Sequence, residues 1–301
     1  MSGELKDTLL IAAHDYRDAF RSRRLMVWLV LYLCVAICST LIFTFALKLV
    51  EDQIADAISI QKSEKAGSVT KSIQKNPMFH KAVHEMIEDE EFADELLSYH
   101  PLTLFFGFFS FFCMPFLVII LCSDTIAKDV QSRYVRFNLF RTSRAAYAIG
   151  KTLSASSILL FALAISTFIV MIIGVLRLHS YDFLGSFPVM MGFMLKCWIF
   201  SIPFLGVALF ASQLSKTPTK ALFFGLVLLS FLMIIGVVAD AKSGVGFARL
   251  WELGNLVTPI TFSSGLWHPK LTVNLKAALS CIGLGIFYFS MGFVVFSRRD
   301  L

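Results

Sequence analysis

The sequence predicts an all-α membrane protein with six transmembrane helices. Three observations carry that reading. Hydrophobic residues make up 57% of the chain and charged residues only 16%, against about 25% charged in a soluble domain. Mean hydropathy is +0.74, so there is too little polar surface to close a water-soluble globule. The apolar residues also gather into six continuous runs, at 25–47, 102–123, 152–176, 188–212, 221–239 and 275–296.

A span needs roughly 20 residues, at about 1.5 Å rise each, to cross a hydrocarbon core of about 30 Å. All six runs reach that length. None shows the two-residue alternation of a membrane barrel strand, so helices are predicted. The first run is too long for a signal-peptide core and no cleavage site follows it. The six cysteines, Cys34, Cys38, Cys113, Cys122, Cys197 and Cys281, fall within or at the rims of apolar runs. They read as small packing residues rather than a disulfide framework.

Basic residues set the orientation. Segments 1–24, 124–151, 213–220 and 297–301 carry most of the arginines, among them Arg17, Arg21, Arg23, Arg24, Arg133, Arg136, Arg141, Arg144, Arg298 and Arg299. The long segment 48–101 has six Lys, no Arg and eleven acids. The arginine-rich side is expected in the cytoplasm, with both termini inside. Residues 1–24 are expected to form an interfacial amphipathic helix, because Leu5, Leu9, Ala12, Ala13, Tyr16 and Phe20 recur at helical spacing. Residues 25–301 form the transmembrane domain.

Two outer segments depart from plain loops. In 48–101, Ile54 with Ile58 suggests one short helix, and Phe79, Val83, Met86 and Ile87 another after Asn76-Pro77. A small extracytoplasmic helical cap is predicted. Segment 240–274 holds Trp251, Leu253, Leu256, Val257, Ile260, Phe262, Leu266 and Trp267. It is too apolar for solvent and is broken by Gly254, Pro259 and Gly265, which suggests a re-entrant stretch covered by protein.

Chemistry-bearing motifs are few. Gly150-Lys151-Thr152 resembles the end of a phosphate-binding loop, but Ala145 stands where the first glycine belongs and no strand precedes it. No ATPase is expected on this chain. His80 and His84, with Glu85 and Glu88, share a helical face, yet the catalytic order His-Glu-x-x-His is missing; a solvated acidic face is the favoured reading over a zinc site. No nucleophile–base set stands out. Lys196 lies in the fourth run. It is either a substrate-path residue, the default for an intramembrane cation, or a lysine that snorkels from a span starting near 193, which is favoured.

The segment 124–151 is the most informative. It carries Asp124, Asp129, Arg133, Arg136, Arg141 and Arg144 with Tyr134, Leu139, Phe140 and Tyr147 among them. One reading is an ordinary basic inner loop. The sharper one is a docking helix, with aromatics as anchors and arginines as clamps. Gly150 would let the chain turn tightly into the third span.

The order of these parts resembles the ABC-2-type transporter permeases, the permeases of nitrous-oxide-reductase maturation systems among them. The likeness runs nearly end to end. It rests on His14-Asp15-Tyr16-Arg17-Asp18-Ala19-Phe20-Arg21-Ser22-Arg23-Arg24 before the first span and on Asp124 and Asp129 after the second. Arg144 and Gly150-Lys151 before the third, Asn255 with Thr258-Pro259, and Phe296-Ser297-Arg298-Arg299-Asp300-Leu301 complete it. Two departures stand out: Ser132-Arg133-Tyr134 replaces the family's Gly-Thr-Leu, and Arg141 its proline.

The resemblance implies the permease subunit of an ATP-driven exporter in a bacterial inner membrane, pairing as a homodimer among membrane lipids. Each copy would contact a separate cytoplasmic ABC ATPase that holds the ATP and Mg; this chain would bind no cofactor and no nucleic acid. Asp124, Asp129, Arg133, Arg136, Leu139, Phe140, Arg144 and Gly150 would couple to the ATPase, 124–149 being the main coupling helix and 213–220 a second contact. Asn255, Thr258 and Pro259 would belong to an outer gate. Two other readings stay open: a membrane scaffold passing ATPase-driven motion to an envelope assembly, and a stand-alone secondary transporter.

Overall fold

The computed structural model describes residues 2–21, 24–58, 66–67, 84, 89–140, 142–179, 181–241 and 254–299. The elements are almost entirely helical, as expected. They are α1 (Ser2–Arg21), α2 (Arg24–Ile58), α3 (Glu90–Ser98), α4 (Pro101–Cys122), α5 (Ala127–Gln131), α6 (Tyr134–Leu139), α7 (Arg144–Arg177), α8 (Phe183–Leu214) and α9 (Pro218–Ala241). A 3-10 turn (Pro259–Phe262), α10 (Ser263–Trp267) and α11 (Leu271–Arg298) follow. Among the described residues the only β pairing is an isolated bridge between Ala66 and Leu178.

Among the described residues, six stretches are long and apolar enough to cross a membrane: Leu29–Gln53, Pro101–Gln131, Arg144–Arg177, Phe183–Leu214, Pro218–Val238 and Leu271–Arg298. This is a multi-pass membrane protein. Most of the helices outrun their apolar cores. α2, for instance, has 35 residues, about 50 Å at 1.5 Å per residue. A helix need not stop where the hydrocarbon stops, because its backbone bonds remain satisfied in the interface and in water. Hence α2 continues through positions 54 and 58, where a separate short helix was expected. Of the second expected outer helix, Phe79, Val83, Met86 and Ile87 lie outside the described residues. α3 is capped at its start by Asp89, whose carboxylate accepts from the Glu91 and Phe92 N–H groups.

The chain divides into two compact units. One comprises Val30–Phe112 and Ala162–Leu195. Its core gathers Ala36, Leu102, Phe106, Met171, Tyr181 and Met190. Gly174 admits Leu102 and the Tyr181 ring at distances where a Cβ would collide. At one end Glu51 is buried and accepts from Gly67 N–H at 2.8 Å, and the His179 N–H donates to Ala66 at 2.9 Å. His84 Nε2 sits 3.1 Å from Asp94 Oδ1; His80, Glu85 and Glu88 lie outside the described residues.

The other unit comprises Met1–Leu29, Cys113–Phe161 and Lys196–Leu301, and it holds most of the candidate site residues. Its α8 and α11 cross backbone against backbone. A Cβ on Gly206 would lie 2.5 Å from the Gly285 carbonyl oxygen, and one on Gly285 would lie 2.6 Å from Ile202 Cγ2. Seven residues further along α11, Gly292 faces Phe210 Cα at a distance of 2.9 Å for such a Cβ. Small residues at a crossing are how membrane helices gain contact without a hydrophobic driving force.

Candidate functional site

The site lies where the C-terminal ends of α4, α8 and α11 meet the start of α7. Hydrogen bonds to open helix ends hold this junction. The last carbonyls of a helix lack intrahelical donors and carry partial negative charge. Arg144, at the first residue of α7, donates through Nη1 to the carbonyls of Phe296, Ser297 and Arg299 at 3.0, 2.7 and 2.9 Å. Arg299 in turn donates to the carbonyls of Gln213 and Ser215, at the end of α8, at 3.3 and 3.2 Å. Ser212 of α8 accepts, at one hydroxyl, the N–H groups of Ile126 and Ala127 at 2.9 Å each. The open N-terminus of α5 is thereby satisfied.

The expected single helix over 124–149 is two short ones, α5 and α6, followed by the first residues of α7. α5 ends at Gln131 and α6 begins at Tyr134. Between them Arg133 takes φ 60°, the one positive-φ non-glycine among the described residues. Side chains other than Gly, Asn and Asp rarely hold that conformation, so nothing in the local composition announces the break. The break turns α6 outward: Tyr134, Phe137 and Phe140 are exposed, the last two at 71% and 87%, with Arg133 and Arg136 exposed beside them. Leu139 is half-buried and Val135 fully buried. Phe137 was missed in the sequence reading, although its spacing from Tyr134 and Phe140 is three residues each way.

Asp129 and Gly150 have other local roles than a plain docking loop would give them. Gly150 is not at a turn; it sits inside α7. A Cβ there would lie 2.9 Å from both Ile11 Cγ2 and the Thr8 carbonyl oxygen of α1, so the glycine serves close approach of α1. Next to it, the Lys151 ammonium contacts Asp15 Oδ1 at 2.5 Å and Asp129 Oδ2 at 2.9 Å. Tyr147 donates to the same Asp129 oxygen at 2.5 Å. Asp124 is half-buried at the start of the segment. A groove of about 800 Å³ opens between α1 and the α5–α6 segment, lined by His14, Asp18, Lys128, Ser132, Phe137 and Thr142 among others. It offers charge and aromatic surface.

At 254–267 the chain makes a helical turn (254–257), the 3-10 turn and α10. Thr258 is buried and its hydroxyl donates to the Gly254 carbonyl at 3.1 Å. The Thr261 hydroxyl bonds the carbonyls of Asn255 and Thr258, at 2.6 Å each. Pro259 opens the 3-10 turn and is buried. Tyr288 of α11 donates to the Val257 carbonyl at 2.5 Å, and Asn274 to Leu266 at 3.0 Å. Carbonyls of the broken backbone at 254, 255, 257, 258 and 266 are thus bonded by α11 and by the segment's own hydroxyls. Trp251 and Leu253 lie outside the described residues. Lys196 is half-buried within α8, 13 residues after the helix starts at Phe183.

Residues 9–301 match the family described as ABC-2 family transporter protein. The chain belongs to the ABC-2 transporter family. No curated protein matches it. ABC-2 permeases are in general non-catalytic membrane subunits that work with an ABC ATPase. In this permease the α5–α6 segment exposes aromatics and arginines side by side.

Proposed function

We propose that this chain is the permease subunit of an ATP-driven exporter in a bacterial inner membrane. Two copies pair, and each is moved by a separate cytoplasmic ATPase that holds ATP and Mg. α6 is the docking element, with 213–220 as a second contact. Asp124, Asp129 and Arg144 act behind it, by holding α5 and the ends of α7 and α11. The exposure of Phe137 and Phe140 beside Arg133 and Arg136, on a segment anchored to α8 and α7, carries this reading. Burying one such ring contributes about 1.5–3 kcal/mol, so a soluble protein has a reason to cover them. Asn255, Thr258 and Pro259 belong to the gate at the opposite side, and Lys196 faces the substrate path.

A photo-crosslinking residue at position 140, in the chain expressed in its own host, is expected to capture an ATPase. The same residue at Ser186 is expected to capture none. Capture of no nucleotide-binding protein at 140 would remove the coupling assignment. Sidedness has its own check. Single cysteines at Ser132 and Lys216 are expected to label only from the cytoplasm, and one at Ser264 only from outside; external labelling at 132 would invert the topology.

A further inference from the structure

α1 is more than a helix lying on the membrane. Its Ala12 and Ala19 are buried, and Asp15 lies on the same stripe, while Leu5, Leu9 and Phe20 are exposed at 64%, 59% and 50%. One stripe is seated on protein, and an apolar strip beside it on the same side of the helix is open. The seat is tight because Gly150 has no side chain to hold Ile11 and Thr8 away. It is also charged. The Lys151 side chain is 8% exposed and bridges Asp15 of α1 and Asp129 of α5, themselves 16% and 15% exposed.

An ammonium between two nearly buried carboxylates cannot release either one without leaving a charge poorly solvated. Tyr147, one turn earlier on α7, adds its hydroxyl to Asp129. Three elements, α1 far from the other two in sequence, therefore share one ionic node. The node's carboxylate on this segment, Asp129, belongs to α5, ahead of the break at Arg133 that leads into α6.

We infer that Lys151 is a positioning residue that joins α1, α5 and the start of α7 into one moving body. The ATPase's pull on α6 then reaches the leaflet through the apolar face of α1 as well as through α7. This inference rests on the docking reading above, but its first test does not need the ATPase.

Spin labels at Leu9 and Gln131, both exposed and outside the node, report the α1–α5 distance in the full chain in lipid nanodiscs, with the native cysteines replaced. A single narrow distance is expected with Lys151 present. Lys151→Met alone leaves two buried carboxylates and could impair folding. The variant Lys151→Met with Asp15→Asn and Asp129→Asn removes all three charges together and tests the node without that penalty. Its distance distribution is expected to lose the single peak. A triple variant as narrow as the parent would show that packing alone seats α1, and would overturn the inference. In the permease–ATPase complex, the parent distance is expected to be the same before and after vanadate trapping; a shift would equally overturn it. Capture of an ATPase at position 140 reports separately on docking, so the two failures are distinguishable.

Discussion

Replacing Gly206 with valine is expected to abolish recovery of a folded, monodisperse permease. Its Cβ would meet not a flexible side chain but the Gly285 backbone, with the carbonyl oxygen 2.5 Å away. Rotamer changes cannot relieve that clash; α8 and α11 must separate. Separation would in turn loosen the contacts at Ile202 and Phe210 and strain the bond from Tyr288 to Val257. Overpacking a core ordinarily costs about 1–3 kcal/mol, occasionally more. A backbone-to-backbone crossing belongs at the upper end, and marginal stabilities do not absorb much beyond that. Gly192 and Gly283 serve as controls, since a Cβ on either meets nothing within 4 Å. Alanine at those two helical positions is expected to be neutral or to stabilise, by up to about 1 kcal/mol. Thermal midpoints in detergent compare the three. Equal behaviour of Gly206→Val and Gly283→Ala would mean that the crossing is not the close contact described.

The double reversal Arg133→Glu with Arg136→Glu is expected to abolish ATPase copurification while the permease still inserts and folds. Both side chains are exposed, and surface changes of that kind usually alter stability by about 0.5 kcal/mol or less. Glutamate at 133 meets the same left-handed backbone as arginine does, so the break between α5 and α6 persists. At an interface, by contrast, losing one buried charge partner costs about 2–5 kcal/mol. Two losses of about 2 kcal/mol lower affinity roughly a thousandfold at about 1.4 kcal/mol per decade, and reversal adds repulsion. The readout is the ATPase recovered per permease, together with ATP hydrolysis by the recovered complex. An ATPase retained in full, with hydrolysis still coupled, would reduce α6 to a loop that only sets orientation.

The sequence by itself determined the class of protein, the number of spans and the polarity of the arginines. Those follow from local sums: about 20 apolar residues in a row favour a membrane span whatever surrounds them. It also marked the segment around Arg133, Arg136 and Phe140, because clustered arginines and aromatics between two spans are visible without knowing their neighbours. Only the tertiary structure decided what the remaining residues do. Lys151 looked like part of a failed phosphate loop, and its partner Asp15 lies 136 positions away. Gly150 looked like a turn and is a contact point for α1. Arg144 looked like a docking residue, yet its donors close the end of α11. Gly206 and Gly285 had no sequence signal, since a glycine is required there only because another helix passes within a Cβ's reach. Transfer into the membrane is additive along the chain, but ion pairing, capping and helix crossing depend on groups brought together by the fold.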